Sequence, residues 1–87
     1  MAEFNWNDLR AFLAVARTGR LSAAAARLEA DHTTVGRRIS ALEAELGARL
    51  FDRTPGGHVL TPHGERLMPM AETMESLAIR VAGELGE

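Results

Sequence analysis

The sequence predicts a mainly α fold of three short helices, a small two-stranded hairpin and one long final helix. Three features predict it. Apolar residues recur at three- and four-residue spacings in the helical segments, and good capping residues stand where those segments begin. A Thr-Pro-Gly-Gly turn interrupts the one stretch that alternates like a strand.

The first helix is capped by Asn5 or Asn7, carries the stripe Leu9, Phe12, Leu13 and Ala16, and ends at Gly19. Phe4 and Trp6 read as packing groups. The chain has only four aromatic residues, none interleaved with the central arginines, so stacking of single-stranded bases finds no platform.

The second helix is expected to start at Ser22, which is placed to cap the amides of Ala23 to Ala25, with Leu21 and Ala26 as a hydrophobic staple. Its run of alanines lets a neighbour approach closely. Asp31 is a second good N-cap, and its charge suits the positive end of a helix dipole, so a third helix begins at about His32.

On a 3.6-residue wheel that third helix gathers Val35, Ile39, Leu42 and Leu46 into a core stripe. The opposite face carries Thr33, Arg37 and Ser40, with Thr34 and Gly36 on its shoulders, and no acid interrupts it. Small, hydroxylic and arginine side chains suit a DNA major groove, which admits one helix and offers guanine edges to arginine. Gly36 weakens the helix by roughly 1 kcal/mol against alanine, and a close approach of backbone to DNA is one reason for it. An ordinary solvated face is the plain alternative.

Gly47 caps the helix, Arg49 to Arg53 reads as a short strand, Thr54 to Gly57 turns, and His58 to Leu60 returns. Arg53 and His58 flank the turn of this hairpin, or wing, where phosphates would lie.

Thr61 then caps a last helix with Pro62 in its first turn. Leu67, Met70, Met74, Leu77, Val81 and Leu85 form a heptad-like seam too long for so small a body to cover, which favours a homodimer. Pro69 should bend the helix near its first turns.

The ordered motifs AAARL, Val35-x-Arg37-x-Ile39, Leu42-Glu43, Leu46-Gly47, Leu50 to Arg53 (LFDR) and Leu60 to Gly64 (LTPHG) resemble the N-terminal domain of LysR-type transcriptional regulators along almost the whole chain. The resemblance implies a winged helix-turn-helix over residues 1–61 and a linker dimerisation helix over 62–87. It implies base contacts at His32, Thr33, Gly36 and Arg37. Backbone contacts are implied at Ser22, Thr34, Arg38 and Arg53, with His58 added from the wing. Two copies would place their recognition helices in successive major grooves of an interrupted palindrome, and the full-length protein admits a tetramer. Such regulators usually continue into a larger domain that senses a small-molecule co-inducer, so the resemblance favours this chain as the DNA-binding part of a longer protein, the alternative being a regulator without a sensor. The family commonly has glutamine and proline where this chain has His32 and Thr33, and serine where it has Gly36. Its base preference therefore does not transfer.

Composition bounds the alternatives. There is no cysteine, and His32, His58 and His63 fall on separate segments without ligand spacing, so no metal or other cofactor is expected. No nucleophile-base pair, paired carboxylates or phosphate loop points to an enzyme. A signal-peptide pattern and an apolar run of membrane-spanning length are both missing, which sets the expectation of a cytoplasmic protein without a membrane partner. Twelve acids oppose ten arginines for a net charge of −2, unusual for a DNA binder. The imbalance is segregated: Glu65 to Glu87 carries five acids and two arginines, whereas Arg20 to Arg53 carries six arginines and five acids. A helical protein-interaction module dimerising through a coiled coil is the competing reading.

Overall fold

Helix α1 (Trp6–Thr18) is the hub. Besides the predicted stripe, Ala11, Ala14 and Val15 are buried, so α1 is covered on more than one side, as a central helix must be. Around it pack α2 (Leu21–Leu28), α3 (His32–Leu46), β2 (Gly57–Leu60) and α4 (Pro62–Leu85), while β1 (Phe51–Thr54) pairs with β2. The computed structural model describes residues 3–86. Among them the fold is four helices and a two-stranded antiparallel sheet.

Phe12 of α1 is fully buried and meets the ring of Phe51 at 5.4 Å between centroids. Ala24 and Ala25 of α2 and Val35, Ile39 and Leu42 of α3 close the core, with Leu46 partly buried beside them. The alanines let α2 lie close on its neighbours, as their size predicts.

Local chemistry places most boundaries. The Asn5 side chain accepts the Asn7 amide at 2.7 Å, the Asp31 carboxylate accepts the Thr34 amide at 2.7 Å, and the Thr61 hydroxyl accepts the Gly64 amide at 3.1 Å. Each satisfies an amide the helix itself leaves unpaired.

The start of α2 departs from the expected pattern. Arg20, in extended conformation, is the N-cap residue and makes no side-chain cap bond, so Ser22 lies inside the first turn and caps nothing. Leu21 is already helical, which removes the staple as well. The cause is the short link from α1: the Thr18 hydroxyl donates to the carbonyls of Ala14 at 2.7 Å and Arg20 at 3.2 Å, and the Arg20 carbonyl already takes the Ala24 amide at 3.0 Å.

Between α2 and α3 the chain reverses through Glu29, which has φ 53° and ψ 45°. The Ala30 amide donates back to Ala25 at 3.0 Å and the Glu29 amide to Ala26 at 3.4 Å, the pairing of a Schellman turn. A side chain in this left-handed region costs about 1 kcal/mol.

The hairpin is shifted along the chain and turns more tightly than the alternation suggests, because Thr54 pairs with Gly57 and only Pro55 and Gly56 are left in the turn. Strand β1 starts at Phe51 and faces β2 with Phe51 opposite Leu60 and Arg53 opposite His58. Arg49 and Leu50 precede it: the Leu50 carbonyl still accepts the amide of Thr61, its neighbour in register, at 3.0 Å, but the Leu50 amide is diverted to Glu43 Oε2 at 2.8 Å.

Helix α4 begins where Thr61, nearly buried, also donates its hydroxyl to the Arg49 carbonyl at 2.6 Å. Gly64 sits against the Leu50 carbonyl, and a Cβ there would run into that oxygen. The helix continues unbroken through Pro69. Leu67 and Met68 are partly buried against the core and Ala71 fully so. Beyond Glu75 every described residue is exposed.

Candidate nucleic-acid interface

The outer face of α3 is built as its periodicity predicts. Burial of Val35, Ile39 and Leu42 rotates Thr33, Arg37, Ser40 and Ala44 to solvent, with His32 exposed at the N-terminal end. Thr34, Gly36 and Arg38 are half-buried on the shoulders. The Asp31 cap holds this end in register. The Thr34 amide, supported by its side chain, keeps the Asp31 carboxyl below its ordinary range.

Two sets of side chains flank that face. On one side the wing and the start of α2 close in: Gly36 and Ser40 share a cleft with Arg53 and His58, and a neighbouring cleft brings together Arg20, Ser22, His32 and His58. On the other side Thr34, Arg37 and Arg38 line a shallow depression with Asp8 and Ala41. His58 thus stands between two clefts, and Arg37 lies away from the wing.

The wing is pinned rather than dangling. The His58 amide donates to the Gly19 carbonyl at 2.7 Å, and Gly57, with φ 129°, presses so closely on that carbonyl that a Cβ would collide with it. At the tip the Thr54 hydroxyl donates to the Gly57 carbonyl at 2.9 Å. Phe51 meets the His58 ring edge-on at 6.0 Å, tying the wing histidine to the core.

Charge is arranged to leave cations free. Arg49 is engaged by Asp52 at 2.8 Å, whereas among the described residues Arg37, Arg38 and Arg53 enter no ion pair. Unpaired guanidiniums on both shoulders of one helix can meet phosphates or guanine edges.

The structure therefore gathers Ser22, His32, Gly36, Arg53 and His58 on the wing side and Thr34, Arg37 and Arg38 on the far side, with Thr33 exposed on the outer face. Two contributors escape sequence reasoning. Arg20 joins the wing-side cleft, and Glu43, which the helical wheel leaves on a flank, fixes the strand that carries the wing. Arg20's place beside Ser22 is a sequence signal for the first, but the second depends on a contact across a turn. On α4, Met70, Met74, Leu77, Val81 and Leu85 are exposed, whereas Leu67 is partly buried in its own chain. Among the described residues no three metal-binding side chains converge, and no helix is long and apolar enough to cross a membrane.

This geometry has known counterparts. The family model described as "Bacterial regulatory helix-turn-helix protein, lysR family" matches residues 6–65, more than half of the chain. The regulator HdfR of Yersinia enterocolitica is 47% identical over 68 residues, covering 78% of this chain and 23% of its own length. YofA of Bacillus velezensis is 42% identical over 83 residues, covering 92% of this chain and 29% of its own length. The chain thus spans less than a third of these relatives, which are named as transcriptional regulators rather than enzymes.

Among solved structures, a CbnR DBD–DNA complex is similar with a TM-score of 0.85 and 35% identity, covering 92% of both chains. A BenM DBD complex with benA site 1 DNA has a TM-score of 0.85 and 28% identity, covering 92% of this chain and 93% of its own. With its tripartite helical core, pinned wing and long last helix, the chain belongs to the lysR family of bacterial regulatory helix-turn-helix proteins and is its DNA-binding domain.

Proposed function

We propose that the chain reads double-stranded DNA in a sequence-specific manner as the DNA-binding part of a longer LysR-type transcriptional regulator acting in the cytoplasm. Residues 1–61 act as the winged reading head and residues 62–87 as the linker through which two copies pair. The observation that carries this reading is the acid-free outer face of α3, flanked on both shoulders by arginines without ion pairs. A helix lying in a major groove roughly 12 Å wide needs phosphate contacts on both sides and base contacts between them. His32, Thr33, Gly36 and Arg37 are the base-facing set. Ser22, Arg53 and His58 reach one phosphate strand, while Thr34 and Arg38 reach the other.

Pairing is supported by the exposed row from Met70 to Leu85, since an apolar helix seam of that length calls for a partner. A two-fold pair of reading heads suits an interrupted palindrome. The co-inducer, by this reading, acts on a domain that follows the linker in the full-length regulator, where tetramers also form.

Selection of bound sites from random DNA, followed by base-by-base binding scans, tests the assignment. Arg37→Ala should cost about 1 to 3 kcal/mol and relax one position of the site, whereas Arg53→Ala should weaken all sequences alike. Uniform loss for Arg37→Ala would remove it from the base-reading set. A protein-interaction module, the competing reading, would return no enriched site.

A further inference from the structure

Helix α4 is gripped by the body for only half its length. Gly64, Leu67, Met68 and Ala71 pack inward, and the last residue held is Glu75. There the carboxylate takes both terminal nitrogens of Arg17 from α1, at 2.7 and 2.9 Å, closing a fork across 58 residues of sequence. Both side chains are about two-thirds covered. Arg27 and Arg10 line the same cleft and add to the field on Glu75.

We infer that the Arg17–Glu75 pair fixes the angle at which the linker helix leaves the reading head, and thereby the half-site spacing that a dimer accepts. The inference rests on pairing through α4, proposed above. Glu75 is the fulcrum: the exposed arm from there to Leu85 extends about 15 Å at 1.5 Å per residue. A bend at its base displaces and rotates one reading head against the other. Inserting one base pair between half-sites shifts the second site by about 3.4 Å and turns it by roughly 35°, so the dimer must bend or lose contacts. A bidentate guanidinium–carboxylate fork resists such bending in direction as well as distance. It can resist only up to the free energy that breaks it. For a partly exposed pair this ceiling corresponds to about two- to fivefold in binding. Arg17 and Glu75 are positioning residues and need touch no DNA.

The test measures binding to selected sites with the natural spacing, with one base pair inserted, and to a single half-site. Variants are Glu75→Gln, which removes the charge and leaves Arg10 and Arg27 nothing to substitute for, and Arg17→Lys, which keeps charge without the fork. Glu75→Gln should bind the single half-site as wild type does, remain dimeric by sedimentation, and reduce the insertion penalty about two- to fivefold, with Arg17→Lys in between. An unchanged insertion penalty in dimeric Glu75→Gln overturns the inference. Loss of dimerisation in the variants also overturns it, since the pair would then hold the dimer rather than aim it. A wild-type chain that is monomeric and indifferent to spacing instead overturns the pairing on which the inference rests.

Discussion

The Glu43 carboxylate accepts the backbone amide of Leu50 at 2.8 Å, binding α3 to the start of the wing. Leu50 is almost wholly buried, so its amide has no water to turn to. Glu43→Ala leaves that donor unpaired and should cost about 1 to 3 kcal/mol. Glu43→Gln, which keeps an acceptor oxygen, should cost less. Urea unfolding of the two variants checks the order, and equal stability of wild type and Glu43→Ala contradicts it.

That bond also marks where sequence legibility ends. Asn5, Asp31, Thr61, Gly19 and Gly47 were readable as helix ends because capping is chemistry between residues two to four apart. The core stripe of α3 and its solvent face were readable because the helix buries a single side. Ser22 misled because Arg20, a residue with no capping preference, takes the N-cap position through the short Thr18 link. The burial of Ala11, Ala14 and Val15, the inward turn of Leu67, and the Arg17–Glu75 and Glu43–Leu50 bonds all depend on distant packing that no local pattern encodes.

Gly36 has room for a side chain. A Cβ there would find only Leu21 Cδ1, at an ordinary contact distance of 3.7 Å. Gly36→Ala should therefore gain about 1 kcal/mol of helix stability and raise the melting temperature by about 4 to 8 °C for a domain of this size. Its affinity for the selected site should nevertheless fall, because the methyl group stands on the face proposed to enter the groove. A more stable variant with wild-type affinity removes Gly36 from the base-facing set.

Acid should loosen the start of α3 and the hold on α4 together. Asp31 is held below its ordinary value of 3.8 chiefly by the Thr34 amide, and Glu75 below 4.5 chiefly by its hydrogen bonds to Arg17. Carboxyls depressed in the folded state stabilise it above their unfolded values, and that contribution is lost as pH falls through the folded ones. Stability should thus hold steady at neutral pH and decline below about pH 4.5. Thermal melts of Asp31→Asn and Glu75→Gln should show a shallower acid decline, and melts parallel to wild type count against both assignments.

Because the body releases α4 at Glu75, the order of the final turns becomes a matter of concentration. The gripped half supplies the helix nucleus, but beyond it each residue adds only its own hydrogen bond, and helix propagation in water is close to neutral. In the single chain these turns are helical but lean on nothing. Under the pairing proposed above, association bears the entropic cost of ordering the turns that carry Leu77, Val81 and Leu85. Under that pairing, dilution and warming should loosen these few turns before they reach the reading head.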